Sequence, residues 1–365
     1  MPVLAMERLV KLIRSEIRSE KPYLVGETGE RDCKLNQNEC PFDLPHKIKS
    51  ALLTRFEQIP FNRYPASQPF ELMSVLEQHH KLPEGSVLVG NGSNDLTQTL
   101  ALCFVSTGTR VVLPRPMFAL YESVVRMHSG EIVPIAPLKS LDFDIDRIVE
   151  AASDPNVALT IVASPNNPTG LSVSFDAIER LCKSSPGFVV IDEAYHEFCP
   201  NQSSISLLDK YPNLIVMRTF SKAFGLAGIR IGYLLGHSRV MSEILKARLP
   251  FMVDRFSEIT AIALVKRPDV VADRVQLLKQ GTIHLTDELK SQPGVSVLPS
   301  TTNFVLFKTE MNGGTLAEKL TQKGVVVRTL SSYPELNGYL RVSSGTESEN
   351  KAFITALKLV LKVDA

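Results

Sequence analysis

Short apolar runs alternate with amphipathic stretches from about residue 61 to residue 236. The runs are five to eight residues long, and the stretches between them have helical periodicity. Apolar strands that alternate with helices predict a mainly parallel sheet covered on both faces. The predicted strands are SVLVG, RVVLP, EIVPI, ALTIVASP, FVVIDE, LIVMRT and IRIGYLL.

The pattern changes after about residue 270. A long helical stretch, VVADRVQLLKQGTIHLTDELKS, comes first. It is followed by four strand patterns, VSVLP, NFVLFK, VVVRTL and YLRVSS, with one more helix between them. A closing helix ends the pattern. This pattern predicts a smaller α+β domain. We therefore expect an N-terminal arm and small-domain segment over residues 1–55, a large domain over 56–270 and a small C-terminal domain over 271–365.

The composition is that of an ordinary globular protein. Of 365 residues, 44% are hydrophobic and 22% charged, and 40 basic against 39 acidic side chains give a net charge of +1. This balance creates no field that favours nucleic acid or an anionic membrane. The sequence has no run of about 18 apolar residues that would predict a membrane span. Helical periodicity in the first residues argues against an export signal.

Cysteine usage indicates a reducing compartment. The chain has five cysteines, an odd number, and no C-x-x-C pair. Such usage argues against both a disulfide framework and a zinc knuckle. We therefore expect a cytoplasmic protein without a bound metal.

Small, polar and ionisable residues gather where the predicted strands end. VLVG leads into NGSND, ALTIVA into SPNNPTG, FVVI into DEAY, and LIVMRTF into SK. Ligands of open parallel sheets bind at the carboxyl edge of the strands. A packed core needs none of these side chains, so we expect them to form one shared site.

Two of these turns have the composition of an anion-binding site. In GNGSND, residues 90–95, small residues precede a predicted helix whose backbone N–H groups can face a phosphate. The stretch is not a dinucleotide fingerprint, because Asp95 replaces its third glycine. A plain turn with an N-cap is the alternative interpretation. Ser221 and Arg230 flank a glycine-rich segment and could also contact a phosphate monoester.

Lys222 is the candidate reactive group. A lysine amine becomes nucleophilic when burial or nearby cations lower its pKa, and it then forms imines with carbonyls. Asp192 precedes it by about one strand-helix-strand unit, so the two should lie on neighbouring strands. A surface lysine, and a helix-capping or metal-binding aspartate, are the alternatives. A carboxylate that keeps a pyridine nitrogen protonated, opposite an imine-forming lysine, is the pairing that pyridoxal phosphate (PLP) requires.

Three segments carry a family resemblance. SPNNPTG, DEAYHEF and TFSKAFGLAGIRIGY resemble the fold type I PLP-dependent aminotransferases, and more closely the histidinol-phosphate aminotransferase group. KLNQNECPFDLP, NRYPASQP and LRVSSGTESEN are similar to further segments of that group, so the resemblance covers roughly residues 20–350. It implies an α/β fold with a mainly parallel seven-stranded sheet between helices in a large PLP-binding domain, plus a smaller α+β domain.

The resemblance also implies the cofactor-binding residues. Lys222 would hold PLP as an imine and later carry a proton to and from the substrate Cα, and Asp192 would pair with the pyridine nitrogen. Asn167 and Tyr195 would hydrogen-bond the phenolic oxygen. The ring would stack on Phe118, where the family often has tyrosine. The phosphate would be held by Ser93, Asn94, Ser221, Arg230 and, from the other subunit of a homodimer, Tyr64.

The implied substrates are L-histidinol phosphate and 2-oxoglutarate, which would give imidazole acetol phosphate and L-glutamate. Arg341 would bind the substrate α-carboxylate, and Arg328 would bind the phosphate of histidinol phosphate. The side-chain pocket would be lined by Tyr23, Asn38 and Glu39. Two departures from the group's pattern lie near this pocket, Cys40 in NECP and the segment LPFMVDRFSE.

The sequence is also compatible with other activities. Within the family, a threonine-phosphate decarboxylase shares much of the pattern, and an aromatic amino acid aminotransferase is a further alternative. A protein that keeps PLP only as a regulatory effector would have the same motifs, but no DNA-binding appendage is visible in the sequence.

The segment FVVIDEAYHEF allows two interpretations outside the family. Its acidic pair is similar to that of P-loop ATPases, but the chain has no G-x-x-x-x-G-K-[ST] motif. A metal site built on Asp192, Glu193 and Glu197 would have His196 without a second nearby histidine. We therefore expect His196 to be structural.

Overall fold

The computed structural model describes residues 2–22, 33–199 and 201–363. The α-helices are α1 (Pro2–Val10), α2 (Ser15–Arg18), α3 (His46–Phe56), α4 (Phe70–His80), α5 (Gly92–Phe104), α6 (Leu120–Met127), α7 (Ile145–Ala152), α8 (Phe175–Ser184), α9 (Ser238–Leu245), α10 (Arg255–Val265), α11 (Pro268–Lys290), α12 (Gly313–Gln322) and α13 (Glu347–Val363). The β-strands are β1 (Cys33–Lys34), β2 (Val87–Gly90), β3 (Arg110–Pro114), β4 (Glu131–Ile135), β5 (Val157–Ala163), β6 (Phe188–Asp192), β7 (Leu214–Thr219), β8 (Gly232–Gly236), β9 (Ser296–Val297), β10 (Phe304–Lys308), β11 (Val325–Val326), β12 (Arg328–Thr329) and β13 (Tyr339–Ser343). Short 3₁₀ helices cover His196–Phe198, Ser204–Leu207, Ala227–Ile229 and Pro334–Leu336.

The central element is a seven-stranded sheet with the strand order β2-β8-β7-β6-β5-β3-β4. All seven predicted strand runs form it, and the predicted α/β fold is confirmed. The pairs from β7 through β6, β5 and β3 to β4 are parallel, while β8 runs antiparallel to both of its neighbours. The strands at the centre are apolar because both faces are covered: all six residues of β7 are buried.

The connection from β6 to β7 differs from the expected strand-helix-strand unit. Two 3₁₀ helices, at 196–198 and 204–207, occupy it in place of an α-helix. The two strands are nevertheless parallel neighbours, and Asp192 is the partner of Met217 in their register. The length of the connection was therefore a sound guide to strand adjacency, although not to its secondary structure.

A smaller, four-stranded antiparallel sheet has the order β12-β13-β10-β9. Its own apolar core includes Leu35 from the N-terminal segment, because β1 pairs in parallel with β11. Helix α11 joins the two cores with one face. Its buried Leu278 belongs to the large core, and its buried Leu285 belongs to the small one. The domain boundaries at residues 55 and 270 stay predictions.

Two further properties concern the cysteines and the helices. All five cysteines are free thiols. Among the helices of the described ranges, none combines the length and the apolar character needed to cross a bilayer.

Candidate active site

The structure brings most of the predicted site residues around one cavity of about 370 Å³. The cavity lies at the carboxyl ends of β5, β6 and β7, the edge where the sequence predicts it. The predicted residues that line it are Asn38, Glu39, Ser93, Asn94, Phe118, Asn167, Asp192, Tyr195, Ser221, Lys222, Arg230, Arg328 and Arg341.

The N-terminus of α5 forms one wall with the features of an anion site. Asn91 precedes the helix and makes no side-chain capping hydrogen bond, so the first backbone N–H groups have no side-chain acceptor there. Gly92 has φ +79°, and a Cβ at this residue would lie 2.4 Å from Nη2 of Arg230. Only glycine allows the guanidinium to approach the helix end so closely. Ser221, whose hydroxyl accepts from Thr219 Oγ1 at 3.1 Å, completes this wall.

Asp192 ends β6 at the base of the cavity. Its Oδ2 accepts from the Tyr121 hydroxyl at 2.7 Å, and its Oδ1 accepts from the backbone N–H of Ala194 at 3.0 Å. Burial raises the pKa of Asp192 in spite of these two hydrogen bonds. A cation placed beside this carboxylate would stabilise its charged form.

Lys222 follows β7 by three residues and lines the same cavity as Asp192. Its Nζ donates to the backbone carbonyl of Gln37 at 2.9 Å and lies 5.8 Å from the centre of the Tyr195 ring. Burial, and after it the charge of Arg341, lower the pKa of Lys222 to about 8. The predicted cause of lysine activation, desolvation beside other cations, is therefore present.

Tyr195 and Asn167 border the space between Lys222 and the small sheet. The Tyr195 oxygen accepts from Nδ2 of Asn38 at 2.9 Å, and its ring packs edge-on against Phe304, with centroids 5.3 Å apart. Asn167 Oδ1 accepts from Arg341 Nη1. Both side chains are thus fixed by partners far away in the sequence.

Arg341 and Arg328 project from adjacent strands of the small sheet. They are direct partners in the register of β13 and β12, and both line the cavity. Arg341 is buried, its Nη2 donates to the carbonyl of Asn36 at 2.8 Å, and its Cζ lies 5.2 Å from the centre of the Phe304 ring. Like charges directly opposite each other on a sheet are unfavourable. A bound anion would remove that repulsion.

Three of the predicted site residues differ from the rest in their surroundings or lie outside the described residues. Tyr23 lies outside the described residues. Tyr64 is outside the cavity of its own chain; it is 82% exposed and stacks on Phe251, with ring centroids 4.6 Å apart. Glu39 lines the cavity and forms an ion pair with Lys34 at 2.7 Å.

The acidic residues after β6 have different surroundings. Asp192 lines the central cavity, whereas Glu193 accepts from Arg218 Nη2 at 2.7 Å and from the Ser203 hydroxyl at 2.8 Å. His196 Nδ1 lies 4.0 Å from Glu193 Oε2, and the structural role of this histidine stays a prediction. Within the described ranges, no cluster of three or more His, Cys, Asp or Glu side chains is arranged to hold a metal.

Four residues of the site were missed by sequence reasoning: Tyr121, Tyr333, Asn36 and Gln37. Tyr333 lines the cavity, and its hydroxyl accepts from the backbone N–H of Ala119 at 3.2 Å. Tyr121 lies on α6, three residues after Phe118 in the preceding turn, and the two rings pack edge-on with centroids 6.4 Å apart. This short spacing from Phe118 is the signal that could have identified it. Asn36 and Gln37 contribute backbone carbonyls that accept hydrogen bonds from Arg341 and Lys222. Every residue has such a carbonyl, so the sequence could not identify these two.

The chain is similar to known proteins over almost its whole length. The family model for aminotransferase class I and II matches residues 30–357. The chain is 38% identical over 336 residues to the histidinol-phosphate aminotransferase of Chlorobaculum tepidum, across 92% of this chain and 96% of that protein.

Two solved structures have a similar fold. The histidinol-phosphate aminotransferase of Sinorhizobium meliloti, in complex with pyridoxal-5'-phosphate, has a TM-score of 0.87 and 24% identity, covering 97% of this chain and 98% of that one. The L-threonine-O-3-phosphate decarboxylase of Porphyromonas gingivalis has a TM-score of 0.80 and 22% identity, covering 90% of this chain and 99% of that one. At these identities the likeness concerns the fold alone.

Proposed function

The chain belongs to the class I and II aminotransferase family, and we propose that it transfers the amino group of L-histidinol phosphate to 2-oxoglutarate. The products are imidazole acetol phosphate and L-glutamate, a reaction of histidine biosynthesis. The observation that carries this proposal is the meeting, in one cavity, of the desolvated Lys222 amine, the Asp192 carboxylate and an arginine pair.

The residues of the cavity fit pyridoxal 5'-phosphate as the cofactor. The α5 N-terminus and Arg230 converge where Gly92 leaves room, which suits a phosphate held with Ser93, Asn94 and Ser221. Asp192, whose carboxylate is buried, suits a protonated ring nitrogen. When bound, PLP supplies an aldehyde that condenses with amines and a ring that withdraws electrons from the neighbouring carbon.

Lys222 is the residue we assign to covalent attachment and to proton transfer. With a pKa of about 8, its amine is neutral in a large fraction of molecules near that pH. A neutral Nζ can take the proton from the substrate Cα and return it later, as a general base and then a general acid. The carbonyl of Gln37, at 2.9 Å, holds this amine at the cavity wall.

The other side chains position the reacting groups. Asp192 would stabilise the positive charge of the ring nitrogen, and the Tyr121 hydroxyl orients this carboxylate by donating to its Oδ2. Tyr195 and Asn167 would hydrogen-bond the phenolic oxygen, and Phe118 would stack on the ring. Their shared place around the cavity supports these assignments.

Arg341 and Arg328 bind the anionic groups of both substrates. Arg341 takes the α-carboxylate of glutamate or 2-oxoglutarate, and its hydrogen bond to Asn167 orients the guanidinium. Histidinol phosphate carries a phosphate ester in place of that carboxylate. Arg328, directly opposite Arg341 in the sheet, supplies the second positive charge that a phosphate requires. Asn38 and Glu39, with Tyr23, are assigned to the pocket for the imidazole side chain.

A homodimer in the cytoplasm is the working form that we infer. Tyr64 stacks on the exposed Phe251, and two further exposed aromatic residues lie close to Tyr64 in the sequence: Phe61 is 85% and Phe70 is 54% exposed. Exposed aromatic side chains of this kind favour a protein interface. Burial against a second copy would let Tyr64 reach the cofactor phosphate of that copy. A monomer in sedimentation equilibrium at assay concentration would contradict this inference.

One paired assay tests the proposed activity. Purified protein with added PLP is given L-histidinol phosphate and 2-oxoglutarate, and L-glutamate formation is measured. In parallel, O-phosphothreonine is supplied and CO₂ release is measured. We expect glutamate in the first assay and no CO₂ in the second. CO₂ release without glutamate would instead identify a threonine-phosphate decarboxylase.

A further inference from the structure

Three consecutive residues of the N-terminal segment contact three functional side chains. The carbonyl of Asn36 accepts from Arg341 Nη2 at 2.8 Å, and the carbonyl of Gln37 accepts from Lys222 Nζ at 2.9 Å. Asn38 donates from Nδ2 to the hydroxyl oxygen of Tyr195 at 2.9 Å. We call residues 36–38 the bridging segment. It links the substrate-binding arginine, the reactive lysine and the tyrosine beside the cofactor.

Asn38 is the member of the bridging segment that acts through its side chain. It is 1% exposed, and its backbone has φ 54°, in the left-handed region that asparagine tolerates better than most residues. Its carbonyl accepts from Asn303 Nδ2 at 3.2 Å. Its backbone N–H donates to Ser343 Oγ at 2.8 Å, and the Ser343 hydroxyl donates back to Asn38 Oδ1 at 3.0 Å.

The hydrogen bonds of Asn38 define one orientation of its amide. Ser343 accepts the backbone N–H of Asn38 and donates its hydroxyl proton to Oδ1, and Nδ2 donates to Tyr195. The phenol oxygen of Tyr195 therefore accepts a hydrogen bond from Asn38. Its own proton has to be directed at another acceptor.

We propose that Asn38 is a positioning residue, which fixes the direction of the Tyr195 hydroxyl proton so that Tyr195 donates to the phenolic oxygen of the cofactor. The inference rests on the proposed function, because it requires PLP in the cavity. It also connects the small sheet to the cofactor, since Ser343 lies on β13 two residues after Arg341.

The proposal has a spectroscopic consequence. A hydrogen bond donated to the phenolic oxygen stabilises negative charge there. It therefore lowers the pH at which the nearby Lys222-linked nitrogen loses its proton and the visible absorption of PLP-loaded protein changes. If the Tyr195 hydroxyl no longer donates to the phenolic oxygen, this pH midpoint should move upward by about 0.5 to 1 unit, given the usual net strength of one hydrogen bond.

Two substitutions of Asn38 are compatible with its backbone. Asn38→Gly removes the amide and keeps the left-handed conformation without strain. Asn38→Asp keeps the shape but turns the donor into an acceptor, so that Tyr195 would give its proton to Asp and not to the cofactor. We expect an upward shift for both variants, and a larger one for Asn38→Asp because its charge adds to the effect.

The experiment is a pH titration of the visible spectrum of PLP-loaded wild type, Asn38→Gly, Asn38→Asp, Tyr195→Phe and the double variant Asn38→Gly/Tyr195→Phe. Asn38→Gly should shift the midpoint in the same direction as Tyr195→Phe. Adding Asn38→Gly to Tyr195→Phe should cause no further shift, because the hydroxyl through which Asn38 acts is already absent. Should Asn38→Gly not fold, Ser343→Ala replaces it, since it removes the anchor of the amide.

Each outcome has a defined meaning. An unchanged midpoint in a folded, PLP-loaded Asn38→Gly protein would overturn the inference, and so would equal shifts with and without the Tyr195 hydroxyl. If wild type itself takes up no PLP and shows no visible absorption, the proposed function fails instead. The two failures are therefore distinguishable in one set of samples.

Discussion

Two groups of buried charges lie at the ends of β6 and β7, and they differ in how well their charges are balanced. In the first, Arg218 donates from Nε and Nη2 to Glu193 Oε2 at 3.0 and 2.7 Å. Burial disfavours the charged form of both groups. Their mutual attraction outweighs this effect, so the pKa of Glu193 is lowered and that of Arg218 is raised. This pair is complete within the chain.

The second group faces the central cavity and is not balanced in this way. Burial raises the pKa of Asp192 and lowers that of Lys222 to about 8, so each group is shifted toward its neutral form. Arg341 adds a further positive charge that disfavours protonated Lys222. Adjacent residues, Asp192 and Glu193, thus have opposite pKa shifts. A set of buried charges without internal compensation therefore marks the binding site, whereas a compensated pair marks a structural support.

The largest effect should come from removing the reactive amine. Lys222→Ala is expected to lower kcat by at least about 10²- to 10⁴-fold, the usual range for a general acid-base group. PLP should still bind non-covalently, because its phosphate site is intact. Lys210→Ala is the matched control, since that lysine is largely exposed and pairs with Glu179. Substantial transamination by Lys222→Ala would show that the unbalanced group is not the catalytic one.

Breaking the balanced pair, Glu193 and Arg218, should lower the stability of the folded protein. Glu193→Gln leaves the Arg218 charge buried beside a neutral amide, and breaking such a pair typically costs about 3 to 5 kcal/mol. We expect the free energy of unfolding in urea to fall accordingly, while the KM values of the folded variant change little. Glu243→Gln, whose ion pair with Lys246 is exposed, should leave the unfolding midpoint unchanged. A normal stability for Glu193→Gln would contradict the supporting role.

A substitution at Arg328 should change which substrates the protein accepts. Arg328→Ala removes one of the two cations facing the anion, so kcat/KM for histidinol phosphate should fall about 10- to 100-fold, as for a lost hydrogen bond between charged groups. Phenylalanine and tyrosine, which lack the phosphate, should be affected much less. Steady-state kinetics with both substrate types measures the difference. Equal losses would remove the phosphate-binding role of Arg328.

The smallest predicted effect concerns Tyr121. Tyr121→Phe removes one hydrogen bond to Asp192, which raises the pKa of that carboxyl further, so the acidic limb of the kcat profile should move to higher pH. We expect a two- to tenfold fall in kcat, corresponding to about 0.5–1.5 kcal/mol. Tyr211→Phe, remote from the cavity, serves as the control. An unshifted pH profile would show that Tyr121 only fills space.

Local sequence patterns predicted what depends on local structure. Continuous apolar runs identified every strand of the large sheet, and the turns after them identified Lys222 and Asp192 as neighbours. Contacts between distant segments had no such signal. Tyr121 meets Asp192 across 71 residues and Asn38 meets Tyr195 across 157, so only the folded chain reveals them. The connection after β6 was predicted as helical because its length fits a helix, whereas 3₁₀ turns around the buried Glu193 fill it.

Covalent attachment of PLP to the Lys222 amine, among the unbalanced charges around it, can be tested directly. Apo protein is incubated with PLP, reduced with borohydride and digested, and the modified peptide is located by mass spectrometry. We predict visible absorption before reduction and a pyridoxyl group on Lys222 alone. A colourless protein, or label scattered over exposed lysines with Lys222 unmodified, would contradict the account.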